Sequence, residues 1–302
     1  MERTNNGILL ESGTNELEIV EFNVGGSRFG INVIKVREII VPAPITKIPH
    51  THEHIQGIIQ LRGDVLPVID MTKVLGFPPA NQPENDKFII SEFNNTKVVF
   101  RVRNVTQIHR ISWEQIERPS DLYQGINASV TGVIKRGEEM ILMLDYEKMI
   151  TDIHPASGIK KEKLQILGER QRSEKTVLVA EDSAFLRKML SETLEEAGYI
   201  RQQLFEDGKA ALDHLESLAA SGIDPADEIQ LVITDIEMPR MDGHHLTRRI
   251  KENSSLQKLP VIIFSSLITN ELRHKGERVG AEDQVSKPEI VELVQKIDRY
   301  IL

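Results

Sequence analysis

The chain has 302 residues, 40% of them hydrophobic and 27% charged, with a formal net charge of −9, which suits two soluble domains that each bury a core. Residues 1–160 carry 17 basic against 20 acidic side chains and residues 175–302 carry 16 against 23, so neither half has the basic excess that binding a nucleic-acid backbone needs. Cysteine is absent, which excludes disulfides and thiolate zinc sites; no run nears the ~18 apolar residues of a membrane helix, and no signal-peptide pattern opens the chain, so a cytoplasmic protein without membrane insertion is expected.

In chain order, the first half reads as strands. Residues 19–24 alternate apolar and polar, Gly25-Gly26 supplies a turn, and Phe29, Ile31 and Val33 alternate after it, which is a hairpin pattern. Residues 88–92 and 97–102 flank Asn94-Asn95 as a second hairpin, and residues 130–134 and 140–144 flank Arg136-Gly137 as a third. Residues 65–69 form a further apolar strand, in which Pro67 points to a sheet edge or a strand end. Short strands at this spacing predict small barrels or a sandwich.

After Pro155, Ser157 and Gly158 the chain turns polar, and residues 157–174 read as a linker with a short helix around Ile159, Leu164, Ile166 and Leu167. From Thr176 onward, strands alternate with helices. Apolar runs at 177–180, 229–234 and 261–264 read as strands, 282–286 reads as a further short strand, and helical spacing recurs over 186–197, 207–220, 243–251, 267–279 and 289–302. Repeats of this kind predict a doubly wound parallel sheet of five strands.

Function in such a sheet collects at the carboxyl ends of the strands. Glu181 and Asp182 close the first strand, Asp235 the third, Ser265 the fourth, and Lys287 the fifth. Carboxylates brought this close repel; a like-charge pair at 4 Å costs on the order of 4 kcal/mol at an effective dielectric near 20. A hard, oxygen-seeking Mg²⁺ relieves that repulsion. Asp235 is then a carboxylate able to attack a phosphoryl donor, with Lys287 and the metal neutralising the transferred group and Ser265 donating to one of its oxygens. Any one of these acids alone reads as a surface residue near a helix N-terminus; four matching strand ends together do not. Asp235-Ile236-Glu237 also looks like a D-x-D phosphatase loop, but that class carries its nucleophile on the first strand.

These residues resemble the response-regulator receiver family over 175–302, through Glu181-Asp182-Ser183, the D-x-x-M-P-x-M-D-G run at 235–243, Ser265-Ser266 and Lys287-Pro288. The resemblance implies phosphotransfer from a histidine kinase to Asp235 and Mg²⁺ ligation by Glu181, Asp182, Asp235 and the backbone carbonyl of Glu237. It further implies slow self-hydrolysis rather than turnover of a separate substrate. Three positions depart from the family pattern: Glu181 stands where Asp is commoner, Ser265 where Thr is, and Gln284 where an aromatic switch residue is usual.

The first half shows no catalytic constellation. The Gly-rich stretch 25–30 lies between two strands and reads as a turn, not a phosphate cradle. His50, His52 and His54 alternate without a second ligand cluster and read as loop histidines, while Trp113 and residues 98–100 read as core. Arg62 stands alone in an apolar stretch between Gly57 and Gly63, as an interface anchor would. Residues 14–156 resemble the CheW-like adaptor family through F-G-I at 29–31, K-V-R-E-I at 35–39, Q-G-x-I-x-L-R-G at 56–63 (with Gln60 for the usual Asn) and V-L-P-V-I-D at 65–70. That resemblance implies a pair of small β-barrels coupling chemoreceptor cytoplasmic tips to the CheA histidine kinase, with Val36, Glu38 and Arg62 as contact residues. A CheW-like domain followed by a receiver is the arrangement of the CheV family. It implies an adaptor at cytoplasmic receptor arrays that is regulated by phosphorylation, or alternatively a phosphate sink held at the array.

Overall fold

The computed structural model describes residues 15–79, 85–94, 96–119, 129–168 and 170–301; the expected domain start at 14 and the turn residue Asn95 lie outside these. The chain divides into two compact units, one built on Leu17–Ile111 and Arg118–Ser157, the other chiefly on Gly158–Leu302.

The chain up to Ile153 runs β1 (Glu16–Val24), β2 (Ser27–Asn32), β3 (Val36–Ile40), β4 (Ile55–Leu61), β5 (Asp64–Asp70), a one-turn α1 (Met71–Val74), β6 (Lys87–Phe93), β7 (Thr96–Val102), β8 (Asn104–Ser112), β9 (Ile116–Glu117), β10 (Val130–Arg136), β11 (Glu139–Leu144) and α2 (Tyr146–Ile153). These strands form a six-stranded sheet, ordered β8-β1-β2-β11-β10-β9, and a five-stranded sheet, ordered β3-β6-β7-β5-β4. The three expected hairpins are β1–β2, β6–β7 and β10–β11. Gly25 and Gly26 take φ of +58° and +88°, the left-handed pair that a two-residue hairpin turn requires. A side chain at Gly25 would also strike the Phe77 ring, 2.2 Å away. Val33, expected in a strand, instead opens a 3-10 turn (Val33–Lys35) capped by the Asn32 side chain.

Pro67 lies neither on an edge strand nor at a strand end. It sits mid-way along β5, between β4 and β7. Its partner across β4 is Ile58, whose N–H and C=O both bond Thr46 on the far side, at 2.9 Å each. The Ile58–Pro67 pair therefore exchanges no ladder bond, and pairing with β7 begins at Val68, one residue later. The missing proline N–H is thus not needed.

Alternation along β6 and β7 sends side chains to two cores. Ile89, Phe93, Val98 and Phe100 join Val20, Phe22, Phe29, Ile31 and Tyr146 between the sheets. Phe88, Ile90 and Val99 join Ile59, Leu66 and Val68 inside the curl of the five-stranded sheet. The Thr46–Ile58 bridge brings the segment after edge strand β3 onto edge strand β4, which closes that curl. Trp113 and residues 98–100 are buried, as expected.

The second unit runs β12 (Ser173–Ala180), α3 (Ala184–Glu196), β13 (Tyr199–Phe205), α4 (Gly208–Ala220), α5 (Pro225–Glu228), β14 (Leu231–Thr234), α6 (Gly243–Glu252), β15 (Val261–Ser265), α7 (Asn270–Val279), β16 (Asp283–Ser286) and α8 (Ile290–Ile301). Its sheet has the order β13-β12-β14-β15-β16, parallel throughout. Apolar residues of α3 and α8 cover one face, and those of α4 and α6 cover the other. Strand β13 gives no sequence signal, because Arg201, Gln202 and Gln203 fill its centre; an edge strand tolerates such residues.

The stretch expected as linker packs closely on this unit. Ile159 and Leu164 enter the core beside Leu190, Leu194, Val294 and Ile297. Arg170 forks onto the Asp298 carboxylate and donates to the Ala197 carbonyl at 2.6 Å, while the Tyr199 hydroxyl donates to the same Asp298. Leu164→Ala should therefore destabilise the second unit by about 2–4 kcal/mol in urea unfolding; a segment that merely tethered would give no change.

α6 carries His244 almost wholly buried, and among the described residues its Nε2 has no hydrogen-bond partner. Burial, with nearby Lys275 acting in the same direction against Asp242, depresses its pKa from 6.5 to about 4. The unfolded chain binds this proton first, so the contribution of His244 is intact above pH 6.5 and is lost as pH falls through about 4. Wild type should thus lose roughly 2–3 kcal/mol more than His244→Leu between pH 7 and pH 4, measured by urea unfolding at each pH.

Candidate functional site

The parallel sheet carries its strand ends to one edge. Ladder bonds fix the residues that follow: Glu181 N–H donates to Phe205 C=O at 3.0 Å, Asp235 N–H to Ala180 C=O at 2.9 Å, and Lys287 N–H to Ser265 C=O at 3.1 Å. At this edge the Lys287 ammonium donates to Glu181 Oε2 at 2.8 Å and to Asp235 Oδ2 at 3.0 Å. The three side chains are only 2%, 3% and 5% exposed. Glu181, Asp182 and Asp235 each offer a carboxylate oxygen, all within 4.8 Å of one another, the one such acidic group among the described residues.

One ammonium against three carboxylates leaves a formal excess of two negative charges. Asp182 is half-buried, so the cluster opens to solvent on its side. A set of hard anionic oxygens with an open side is the donor chemistry that Mg²⁺ takes, so the residues present fit that ion.

The run after Asp235 explains its own composition. Asp235 Oδ1 accepts the Ile236 N–H at 2.6 Å. Met238 and Met241 are buried in the core on the α4 and α6 face, anchoring the loop. Asp242 caps α6 by accepting the His245 N–H at 2.7 Å. Gly243 donates to the Ile236 carbonyl at 2.9 Å, and a Cβ there would lie 1.9 Å from the Asp235 carbonyl oxygen, so only glycine closes this loop.

Ser265 is buried at the end of β15, and its hydroxyl accepts the Leu267 N–H at 3.3 Å. Glu237 lies two residues beyond Asp235, half-buried. Gln284 is buried on β16, where it donates to the Arg273 carbonyl of α7 at 2.7 Å and packs on Gly276. Sequence reasoning did not single out Arg187, which binds the loop carrying Glu181 and Asp182; the available signal was a cation in the first turns of a helix, where acids are favoured.

In the first unit, Val36 and Glu38 lie on β3, while Arg62 and Gly63 form the two-residue turn between β4 and β5. Arg62 Nη2 donates to Glu38 Oε2 at 2.9 Å, although its side chain is 78% exposed. The structure thus pairs Glu38 with Arg62; Val36 packs at the margin of the core between the sheets. The His52 and His54 rings are 4.7 Å apart, and no metal-ligating group of three forms around them among the described residues.

Residues 18–154 match the CheW-like domain family, and residues 177–298 match the response regulator receiver domain family. The chain is 31% identical to the chemotaxis protein CheV3 of Helicobacter pylori, over 99% of this chain and 98% of that protein. It is 27% identical to CheV2 of the same organism, over 95% of each. The solved structure of the scaffolding protein TtCheW from Thermoanaerobacter tengcongensis is 32% identical, covers 43% of this chain and 88% of its own, and superposes with a TM-score of 0.40. No helix among the described residues is long and apolar enough to cross a membrane. With both domain families in this order and an end-to-end relative above 30% identity, the chain belongs to the CheV family of chemotaxis proteins, a CheW-like domain fused to a receiver domain.

Proposed function

We propose that this chain is a chemotaxis adaptor whose CheW-like domain couples chemoreceptor cytoplasmic tips to a CheA-type histidine kinase, with the coupling tuned by phosphorylation of Asp235. It works in the cytoplasm at receptor arrays. Its domains are the CheW-like part at 14–156, a connecting stretch at 157–174 and the receiver at 175–302. The observation that carries the reading is the Lys287 ammonium held between Asp235 and Glu181 beside Asp182, at the edge of the sheet where strand ends meet.

Glu181, Asp182, Asp235 and the Glu237 backbone carbonyl would hold Mg²⁺, which supplies positive charge against the phosphoryl oxygens when bound. The sheet holds Asp235 in place, so an oxygen of its carboxylate is presented to a phosphohistidine of the kinase. An O–P bond forms as the donor's N–P bond breaks, and the imidazole leaves. Lys287, already on Asp235 Oδ2, then has a phosphoryl oxygen as a new acceptor, and Ser265 has a hydroxyl proton to donate to another. Hydrolysis of the acyl phosphate by water restores the carboxylate. This is self-modification, not catalysis on a separate substrate.

The phosphoryl group adds about −1.5 to −2 charge. On this reading, Val36, Glu38 and Arg62 contact receptor or kinase; the exposed guanidinium of Arg62, steadied by Glu38, suits such an anchor. A second reading, a phosphate sink localised by the CheW-like domain, is favoured by Gln284. Its amide ties β16 to α7, where an aromatic switch is usual in receivers.

Incubated with a phosphorylated CheA-type kinase and Mg²⁺, wild type should take up label and Asp235→Ala none; an unlabelled wild type would contradict the reading. In a reconstituted array, phosphorylation changes kinase output at fixed occupancy if the chain is a tuned adaptor, and leaves coupling unaltered if it is a sink.

A further inference from the structure

We infer that Arg187 is a positioning residue for the cation site: it holds the backbone that presents Glu181 and Asp182. The inference rests on the reading of that acid cluster as a Mg²⁺ site. Arg187 lies in the second turn of α3, which starts at Ala184 after its cap Ser183. Side chains on a helix lean toward its N-terminus, so a long side chain here reaches the loop that precedes the helix. Its Nη1 donates to the Glu181 carbonyl at 2.5 Å and to the Asp182 carbonyl at 3.3 Å.

Those carbonyls fall where regular structure offers little. β12 ends at Ala180, and α3 draws on the Ser183 carbonyl, to which the Arg187 N–H donates at 2.8 Å. The two residues between strand and helix carry two of the three clustered carboxylates. Each has a side chain that must reach a shared point, so the orientation of both peptide units sets where the oxygens meet. Glu181, one methylene longer than Asp, adds a rotatable bond and makes that orientation matter more. Its carboxylate is held at both oxygens: Oε1 accepts the Ser183 N–H at 3.3 Å, and Oε2 accepts from Lys287, beyond the end of β16.

A guanidinium at this position stands near the positive end of the α3 dipole, where acids are favoured, and its charge competes with a divalent cation for the acid cluster. A residue that breaks a local electrostatic rule while bonding two successive carbonyls is explained by what those bonds hold. Its charge and its hydrogen bonds therefore predict opposite effects on metal affinity, and that makes them separable.

The test is Mg²⁺ titration by calorimetry of the full-length wild type and of Arg187→Ala, Arg187→Gln and Arg187→Lys, with thermal unfolding of each metal-free protein as a control for the fold. Positioning gives about tenfold weaker Mg²⁺ binding in Arg187→Ala, as for other residues that orient metal ligands. It also gives recovery of most of that loss in Arg187→Gln, whose amide still donates without charge. Unchanged or tighter binding in Arg187→Ala would overturn the inference while leaving the site intact. Should Arg187→Ala fail to fold, the uncharged, donor-free Arg187→Met takes its place: weaker Mg²⁺ binding than in Arg187→Gln, with Arg187→Lys near wild type, supports positioning, and binding in Arg187→Met as tight as in Arg187→Gln overturns it. A wild type that binds no Mg²⁺ would overturn the reading of the site itself, and this inference with it.

Discussion

The buried ammonium of Lys287 between Glu181 and Asp235 is the interaction on which the sheet edge depends. Removing Lys287 leaves Glu181 and Asp235 without their shared counter-ion in a place water barely reaches, at a cost of several kcal/mol. The fold meets this constraint with backbone rather than with flexible side chains. Parallel ladders place the strand ends, Gly243 lets the loop after Asp235 fold back within van der Waals limits, and Ser183 and Asp242 cap the helices that leave the site. Under the proposed function, the remaining negative excess is an asset, since it draws in the cation whose charge offsets that of a phosphoryl group.

The CheW-like unit follows a different logic. Its sheets bury residues on alternate faces, and the Thr46–Ile58 bridge and the Glu38–Arg62 pair draw the two edge strands of the five-stranded sheet toward each other. An edge satisfied within the unit is less prone to unspecific strand pairing. Under the proposed function, a charge gained at Asp235 biases a docking equilibrium. A complete swing from 1:99 to 99:1 needs roughly 5.5 kcal/mol of differential stabilisation, so graded tuning of coupling is the natural regime.

The receiver was legible where its chemistry is dense. Glu181, Asp182, Asp235 and Ser265 each follow or end an apolar run, Lys287 follows the short and mostly polar β16, and the alternation of strands with helices gives the parallel sheet. The three hairpins were legible from Gly25-Gly26 and the other turn residues. Features set by tertiary context were not. Strand β13 hides its type behind Arg201, Gln202 and Gln203 because it lies at the sheet edge. Pro67 marked an edge by rule, yet the pairing geometry around Ile58 spared it a ladder bond. The polar stretch after Ser157 hid two buried side chains, Ile159 and Leu164, because a short 3-10 segment shows too few apolar positions to reveal its packed face. Arg187 and Gln284 bond backbone carbonyls, so the sequence could mark each as unusual for its position but not name its partner.

The most direct check on this charge arrangement is calorimetric unfolding of wild type and Lys287→Met, each with and without about 10 mM Mg²⁺. Mg²⁺ should raise the unfolding temperature of the receiver in wild type. It should raise it further in Lys287→Met, where the ion replaces a lost positive charge. Unfolding temperatures that do not respond to Mg²⁺ in either protein would contradict the existence of a cation site at Glu181, Asp182 and Asp235.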